Sequence, residues 1–563
     1  MTVTRKQGEC LFVHVPKFSS EYLPLGEFLN ITYMPMGLLA LAERARRQGY
    51  ETEIIHLGVE WMLNPAFSIA EEVRRREVRA IGLPLHWHYQ TYDVLRVATA
   101  LKQVAPDAFV FLGGLTASYF AEEILRAFPA VDAVVQGDGE KPLEALLRCL
   151  AEAGHDLDEV PNLFYRDGCE IKRSPTNYLA RSEDLDELVF AELPLLRHYQ
   201  TYVESFGFPL AFSKEYRREE HQQHQRMGRS FFPLCTGRGC PTVCSYCGGN
   251  RDTLKKINTG NRVLWRSQDR VVEDIHRALE AGYQTMSLCF DPAPQHDEYY
   301  VTLFERIHRE RVPADFYFEC WALPTERFLR AFAQTFHPPH SYIAVSPDSG
   351  NEKVRAVNKG FRYTNSELLQ SLALAEESGV QVDVFFSIGL PGETIREALE
   401  TRDLITELRE RFSNIRRLMT WSVQLEPGSP QFERPGDFGL LTDRRNLLDF
   451  YQAHGGPRAD TYSGLGYKIE GYFGDERDQG GIAEFEAHMQ HLKCMEFCFL
   501  SPDPRQRVTP AEGREHCLQR RSKIAERRGV VEPQRAICDA HRYAEAATAL
   551  RAGEPEARRP ELV

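Results

Sequence analysis

Three cysteines lie within eight residues near the middle of the chain: Cys240, Cys244 and Cys247. They follow a predicted strand, and their loop also contains Gly237, Gly239, Gly248 and Gly249. Thiolates select zinc or iron–sulfur clusters. Four-iron clusters commonly take four cysteines. Three closely spaced thiols therefore indicate a cluster with one iron left open to another ligand.

The Cys-x-x-x-Cys-x-x-Cys spacing resembles the signature of the radical S-adenosylmethionine (SAM) superfamily. In that superfamily the methionyl amine and carboxylate of SAM chelate the fourth iron, and Tyr246 matches the aromatic residue before the last cysteine. The alternative is a zinc knuckle, but zinc sites usually show paired Cys-x-x-Cys units with a fourth ligand. The nearest other thiol, Cys235, is predicted on the preceding strand. The resemblance implies a 4Fe-4S cluster.

Four later segments resemble the SAM contacts of that superfamily, each following a predicted strand. They are Asp291-Pro-Ala-Pro, Ser346-Pro-Asp348 with Val357-Asn-Lys-Gly360, Gly389-Leu-Pro-Gly-Glu393-Thr, and Glu426-Pro-Gly-Ser-Pro. The implied SAM-contacting residues are Tyr246, Gly248, Asp291, Ser346, Asp348, Gly389 and Glu393. Two departures stand out: no glycine pair precedes Asp291, and Ser346 stands where the family has Glu.

The same stretch alternates six predicted strands with helices, which predicts a partial (β/α)6 barrel over residues 229–440. The predicted strands are Phe231–Cys235, Gln284–Phe290, Asp315–Cys320, Ser341–Val345, Val380–Ser387 and Arg416–Gln424. Barrel active sites lie at the carboxyl ends of the strands, where the four segments fall.

Residues 1–153 predict a different α/β unit, a doubly wound, flavodoxin-like domain. Its predicted strands are Cys10–Val15, Thr52–His56, Ala80–Leu85, Phe109–Leu112 and Ala133–Val135. Its predicted helices are Met36–Gln48, Ala66–Glu77, Tyr92–Val104, Ser118–Ala127 and Lys141–Ala153. Open parallel sheets bind ligands beyond the carboxyl ends of their strands. The loops there carry histidines and glycines, which suit a nucleotide-like ligand.

A doubly wound domain followed by such a barrel resembles the cobalamin-dependent radical SAM enzymes. The implied cobalamin contacts are His56, His86, His88, Gly113, Gly114, Ser118, Gly137, Gly139 and Glu140. The usual Asp-x-His-x-x-Gly loop, which supplies histidine to cobalt, has no full match; the loop after the second strand reads His56-Leu-Gly58. For each histidine the alternative is a hydrogen-bonded side chain beside a cleft.

The remaining chain divides into a connecting region, 154–228, and a smaller, mostly helical C-terminal region, 441–563, with a frayed tail. Lys and Arg total 68 against 81 Asp and Glu, and no basic run predicts nucleic-acid binding. No apolar run predicts a signal peptide or a membrane span, so we expect a cytoplasmic protein. Its 13 cysteines argue for thiolate ligands and buried thiols, including Cys494 and Cys498, rather than disulfides.

The resemblance predicts a class B radical SAM methyltransferase that moves a methyl group from SAM, via methylcobalamin, to an unactivated carbon of a small molecule. Similarity to the tryptophan C2-methylating enzymes of thiopeptide biosynthesis suggests tryptophan, with Tyr299, Tyr300, Trp321 and Trp421 as candidate pocket residues. A flavodoxin or ferredoxin would supply electrons. Two alternatives stay open: a cobalamin-dependent rearrangement or cyclisation without methylation, and a non-enzymatic cobalamin or redox sensor. A methylthiotransferase would need three more N-terminal cysteines.

Overall fold

The computed structural model describes residues 8–17, 34–64, 66–151, 156–205, 230–260, 262–289, 291, 297–455 and 468–469. Within these ranges the chain forms two large, mainly parallel sheets that pack against helices, and two small two-stranded sheets. The predictions for Cys494, Cys498 and most of the C-terminal region lie outside the described residues, as does that for the Trp421 side chain. None of the helices in these ranges has the length and apolarity needed to cross a bilayer.

The first sheet has the strand order β2-β1-β3-β4-β5-β6-β7. Its strands are β1 (Glu9–His14), β2 (Glu51–His56), β3 (Val78–Pro84), β4 (Phe109–Gly113), β5 (Ala133–Val135), β6 (Leu163–Asp167) and β7 (Glu170–Arg173). The first five are parallel. Both faces are buried: Phe12 and Phe111 pack on one side, and Val13 and Val110 on the other. The predicted flavodoxin-like plan is confirmed.

The hairpin of β6 and β7 extends this sheet and was not predicted. It lies in the predicted connecting region, 154–228. Asp167 pairs with Glu170, so the turn between the two strands is Gly168-Cys169, and Gly168 has a positive φ of 58°. Glycine is favoured at the first position of a two-residue hairpin turn, so the sequence carried part of this information.

Helices cover both faces of the first sheet. They are α1 (Met36–Arg47), α2 (Leu57–Leu63), α3 (Ile69–Arg74), α4 (Thr91–Val104), α5 (Leu115–Tyr119), α6 (Ala121–Ala127), α7 (Glu140–Ala151), α8 (Ser182–Asp186) and α9 (Tyr199–Ser205). The single helix predicted over Ser118–Ala127 is two helices instead. Phe120 leaves the helical region at φ −106° and ψ 26°, and its N–H closes the last turn of α5 on Thr116.

The second sheet has six parallel strands in the order β8-β11-β12-β13-β14-β15, which confirms the partial barrel. The strands of this part are β8 (Phe231–Pro233), β9 (Gly237–Arg238), β10 (Leu264–Trp265), β11 (Thr285–Leu288), β12 (Asp315–Cys320), β13 (Tyr342–Asp348), β14 (Val382–Ile388), β15 (Ile415–Ser422), β16 (Leu440–Leu441) and β17 (Lys468–Ile469). Phe316 and Phe318 face the surrounding helices, whereas Tyr317 packs with Tyr342 and Ala344 on the inner face.

The helices of this part are α10 (Arg251–Lys256), α11 (Gln268–Glu280), α12 (Asp297–Glu310), α13 (Glu326–Thr335), α14 (Glu352–Asn358), α15 (Asn365–Glu377), α16 (Ile395–Arg411), α17 (Pro430–Glu433) and α18 (Leu447–Gly455). Polar caps set several starts: Thr364 and Thr394 form capping boxes with Glu367 and Glu397. Helix α18 returns to the first sheet, where Phe450 joins its apolar core. The segment after the barrel therefore ties the two sheets together.

Candidate cofactor site between the two sheets

The cysteine loop follows β9 and is held by backbone contacts. The Cys247 N–H donates to the Cys244 carbonyl at 3.3 Å, and the Gly360 N–H donates to Cys244 Sγ at 3.2 Å. Burial raises the pKa of the Cys244 and Cys247 thiols, so their thiolates need stabilisation. Iron and N–H donors supply it in iron–sulfur proteins. The loop therefore fits a cluster.

In the described part of the chain, no three His, Cys, Asp or Glu side chains converge on one point as the ligands of a single ion do. A four-iron cluster takes each cysteine on its own iron atom, so its thiols do not need to converge on a single ion.

Asp348 organises the cluster loop. Its φ is +63°, a strained value for a residue with a side chain. One carboxylate oxygen accepts hydrogen bonds from Tyr246 Oη and Lys359 Nζ, both at 2.8 Å, and the other accepts from Ser387 Oγ at 3.1 Å. Tyr246 and Asp348, both implied SAM contacts, are thus bonded to each other. Their mutual bond fastens the cysteine loop to β13 and β14.

Gly248 meets the chain after the sixth barrel strand. Its N–H donates to Glu426 Oε2 at 2.6 Å, and a Cβ at this position would lie 2.5 Å from the Pro427 carbonyl oxygen. Only glycine allows that approach. Burial raises the pKa of Glu426 to about 7. Glu426 was quoted in a sequence motif but was not among the expected site residues.

The other implied SAM residues have local partners. Asp291 is 1% exposed and accepts a hydrogen bond from Tyr300 Oη at 3.0 Å. Glu393 Oε2 accepts from the Gly389 N–H at 2.6 Å and from the next backbone N–H, which closes the turn after β14. Burial raises the pKa of Glu393 to about 8. Ser346 lies on β13, two residues beyond the inward-facing Ala344.

A polar group inside the barrel was missed by the sequence reasoning. Cys289 directly follows β11 and Glu319 lies on β12, each two residues beyond the paired inner-face residues Ser287 and Tyr317. Tyr317 Oη donates to Glu319 Oε1 at 2.6 Å, and Ser287 Oγ lies 3.1 Å from Cys289 Sγ. Burial raises the pKa of Glu319 to about 7. Each residue is unremarkable alone, so only the strand register reveals the group.

Two of the aromatic residues expected to line a substrate pocket, Tyr299 and Tyr300, do not face the inside of the barrel. Tyr300 is 1% exposed and packs on Phe304 and Phe318, outside the barrel. Tyr299 stacks near Trp265, at a ring separation of 4.3 Å. These two tyrosines therefore belong to the core around the barrel rather than to its inner face.

The glycine loops of the first sheet shape its carboxyl edge. A Cβ on Gly113 would have no neighbour closer than the Val135 carbonyl oxygen at 3.9 Å, so open space adjoins this strand end. Gly114 has φ +101°, and a Cβ there would meet the Leu85 carbonyl oxygen at 2.8 Å. A Cβ on Gly139 would meet Leu41 Cδ2 at 3.7 Å, an ordinary van der Waals distance. Space for a ligand is thus present at Gly113, whereas Gly114 is required by the neighbouring loop.

The three expected histidines lie in different surroundings. His56 is buried, and its Nδ1 accepts the Gly58 N–H at 3.2 Å. His86 is exposed, and its ring lies against that of Trp87 with the ring centroids 4.6 Å apart. His88 is 3% exposed, and its Nδ1 lies 3.1 Å from His454 Nε2 of α18. His88 therefore belongs to the packing of α18 on the sheet, and the structure does not bring all three together.

One further histidine ends β1 and was not predicted. His14 lies beside His56, with ring centroids 4.3 Å apart. Among the described residues, neither of its buried ring nitrogens has a hydrogen-bond partner. Burial, together with His86, lowers its pKa to about 4. It stands at the end of β1, beside β3, where the strand order reverses and doubly wound sheets bind their ligands.

Glu140 and Ser118 hold the loop after β5. Ser118 Oγ accepts the Gly137 N–H at 2.9 Å. Glu140 is 3% exposed, and its Oε1 accepts a hydrogen bond from Arg238 of β9. Its other oxygen is buried and has no hydrogen-bond partner among the described residues. An unsatisfied acceptor beside an open strand end fits a ligand rich in amide N–H groups, such as cobalamin.

The two loop systems face each other. A Cβ on Gly249 would lie 3.8 Å from Cys247 Sγ and 3.8 Å from Leu115 Cδ1. Leu115 begins α5, directly after Gly114, and Gly249 lies in the cysteine loop, two residues after Cys247. The carboxyl edge of the first sheet therefore adjoins the candidate cluster.

Comparison with known families agrees with this arrangement. The family described as B12 binding domain matches residues 29–147, and the Radical SAM superfamily matches residues 234–405. The chain carries a B12-binding domain followed by a radical SAM domain. Its cofactors are accordingly cobalamin for the first domain and SAM with an iron–sulfur cluster for the second.

Individual relatives are more distant. Hopanoid C-3 methylase of Methylococcus capsulatus is 27% identical over 289 residues, 51% of this chain and 47% of that protein. Anaerobic magnesium-protoporphyrin IX monomethyl ester cyclase of Synechocystis is 26% identical over 155 residues, 28% of this chain and 26% of that protein. The matches thus span about half of the methylase and about a quarter of the cyclase.

Among solved structures, the radical SAM methyltransferase TsrM of Kitasatospora setae, with tryptophan and a SAM analogue bound, aligns with a TM-score of 0.61. The alignment covers 92% of this chain and 99% of that one at 17% identity. At this identity the likeness establishes the shared fold.

Proposed function

We propose that this protein is a cobalamin-dependent radical SAM methyltransferase that methylates an unactivated carbon of a small molecule. The observation that carries the proposal is the close approach of the two loop systems: a Cβ placed on Gly249 of the cysteine loop would lie 3.8 Å from Leu115 Cδ1, at the carboxyl edge of the first sheet. A methyl group passed between two cofactors needs such an arrangement. The similarity to a hopanoid methylase supports the same reaction class.

Cobalamin, when bound, would supply the methyl-carrier chemistry between SAM and the substrate carbon. The protein's own residues position the partners. Cys240, Cys244 and Cys247 bind the cluster, and Asp348 fixes Tyr246 beside them. Gly113 leaves room for cobalamin, and the buried Oε2 of Glu140 can accept a hydrogen bond from one of its amide N–H groups. A flavodoxin or ferredoxin would supply the electrons.

For the substrate we propose tryptophan, methylated at C2. Support comes from the nearly full-length alignment with TsrM, which was solved with tryptophan bound. Inside the barrel, Glu319 pairs with Ala344 of the next strand and offers an acidic group on the inner face that could bind the substrate's amino group.

A second candidate is a cyclisation or rearrangement without methylation, which the likeness to the protoporphyrin ester cyclase favours. The product's mass separates the two. A methylated product from deuterated-methyl SAM gains three deuterium atoms, whereas a cyclised product gains none.

The test is anaerobic reconstitution with iron, sulfide and hydroxocobalamin, followed by incubation with tryptophan, reductant and deuterated-methyl SAM. We expect deuterated methyltryptophan from the wild type and none from the variant with Cys240, Cys244 and Cys247 changed to Ala. Cys169→Ala is the matched control because Cys169 is exposed and distant in the fold, on the hairpin turn. Label transfer by the triple variant would contradict the proposal. A cobalamin-loaded wild type that labels other small molecules but not tryptophan would contradict only the substrate.

A further inference from the structure

We propose that Arg238 couples cobalamin binding to assembly of the iron–sulfur cluster, as a positioning residue between the two cofactor loops. The inference rests on the two cofactor assignments and holds whether or not the product is methylated. Arg238 lies in β9, two residues before Cys240. It was not among the residues expected from the sequence.

The guanidinium reaches across to the loop after β5. Its Nη1 lies 3.3 Å from Asp138 Oδ1, and its Nη2 bonds Glu140 Oε1. These carboxylate side chains are 7% and 4% exposed, so neighbouring water screens the pairs weakly. One guanidinium of the radical SAM domain thus forms ion pairs with two buried acids of the B12-binding domain.

The connection from Arg238 to the cluster is short and stiff. Its strand pairs with β10, and a Cβ on Gly239 would lie 2.4 Å from the Arg262 carbonyl oxygen. That crowding leaves the backbone between Arg238 and Cys240 little freedom to move. The position of the guanidinium therefore depends on the path that the cysteine loop takes.

The connection from the acids to the cobalamin edge is equally direct. Gly137, next to Asp138, packs against the backbone of Asn258, and its N–H donates to Ser118 Oγ. Without a fixed cation, Asp138 and Glu140 would be two buried acids two residues apart, and their repulsion would loosen this loop. An ordered cluster loop fixes Arg238, and a fixed Arg238 orders the cobalamin loop.

The test compares cobalamin affinity with and without the cluster. Hydroxocobalamin is titrated anaerobically into the wild type and into Arg238→Gln, each in two forms: cluster reconstituted, or with the three cluster cysteines changed to Ala. In the wild type we expect cobalamin to bind at least about fivefold more tightly when the cluster is present, the lower end of ordinary coupling between sites. In Arg238→Gln we expect that ratio to fall to about one, and Arg238→Lys to restore part of it.

Arg181→Gln is the matched control, because Arg181 is an exposed arginine whose ion pair, with Asp184, stays within its own segment. It should keep the wild-type ratio. Equal cobalamin affinity of the two wild-type forms would overturn the coupling. So would an Arg238→Gln variant that binds cobalamin more weakly by the same factor in both forms, the signature of a merely structural role. Failure of the wild type to bind cobalamin at all would instead remove the cofactor basis of the proposed function.

Discussion

Gly137→Ala is expected to destabilise the protein through the contact between its two domains. Gly137 has φ +79°, and an added Cβ would lie 2.5 Å from the Asn258 carbonyl oxygen and 2.8 Å from that of Ile257. Both neighbours are backbone atoms, so no side chain can turn aside. The methyl group must push the loop after β5 away from the segment that follows α10.

The expected loss in the free energy of unfolding has two parts, one from the backbone conformation and one from overpacking. A left-handed backbone costs an L-residue about 1–2 kcal/mol, partly offset by about 0.4–1 kcal/mol from a stiffer unfolded chain. Overpacking adds about 1–3 kcal/mol. Gly168→Ala isolates the first part, because Gly168 has φ +58° with nothing within 4 Å of the added atom. We therefore expect Gly168→Ala to lose about 1 kcal/mol and Gly137→Ala about 1–3 kcal/mol more.

The assay is urea unfolding of the three proteins, followed by circular dichroism, with cobalamin affinity measured on the same preparations. Gly137→Ala should unfold at lower urea and bind cobalamin more weakly, whereas Gly168→Ala should bind it like the wild type. Equal destabilisation of the two variants, with unchanged cobalamin binding, would refute the domain contact.

Three other predictions concern buried carboxylates. Asp348→Asn leaves the buried Lys359 without its carboxylate, so we expect the free energy of unfolding to fall by about 3–5 kcal/mol and the iron content, by chemical analysis, to fall as well. The control is Asp403→Asn, at an exposed ion pair, which should change the free energy of unfolding by less than about 1 kcal/mol. Burial raises the pKa of Glu393 to about 8, so between about pH 5 and pH 8 this carboxyl keeps a proton in the folded state that it loses in the unfolded chain, and the free energy of unfolding falls as the pH rises. Glu393→Gln should remove up to about 1.4 kcal/mol per pH unit of that slope, measured by urea unfolding. An unchanged slope would contradict the burial of Glu393. Burial raises the pKa of Glu319, inside the barrel, to about 7, so we expect the pH profile of product formation to bend near pH 7 and Glu319→Gln to abolish that bend. A bend that persists in the variant would belong to another group.

Much of the fold was accessible from the sequence because its signals are local. Alternating apolar runs and helical stretches identified every strand of the parallel core of the first sheet and all six of the barrel sheet. The hairpin around Gly168 was missed although the glycine of its two-residue turn is a local signal. The split at Phe120 was missed because nothing in the residues of α5 and α6 predicts a break.

The site divides in the same way. Cys240, Cys244 and Cys247 carry a local spacing and could be found directly. Arg238 and Glu319 could not, since their importance depends on partners from distant segments or neighbouring strands. His88 shows the reverse: its loop was placed correctly at the carboxyl edge, but α18, more than 350 positions later in the chain, draws the side chain to His454.

The most direct test of the account is electron paramagnetic resonance of anaerobic protein that holds both cobalamin, reduced to its cobalt(II) state, and the reduced cluster. Because a Cβ placed on Gly249 would lie 3.8 Å from both Cys247 Sγ and Leu115 Cδ1, the cysteine loop adjoins the carboxyl edge of the first sheet, and we expect the two paramagnetic centres to lie close together. We predict that each signal is broadened or split by the other, and that the cobalt signal becomes sharp again in the variant without cluster cysteines. Two independent, unperturbed signals from the doubly loaded wild type would contradict a shared site and the methyl transfer built on it.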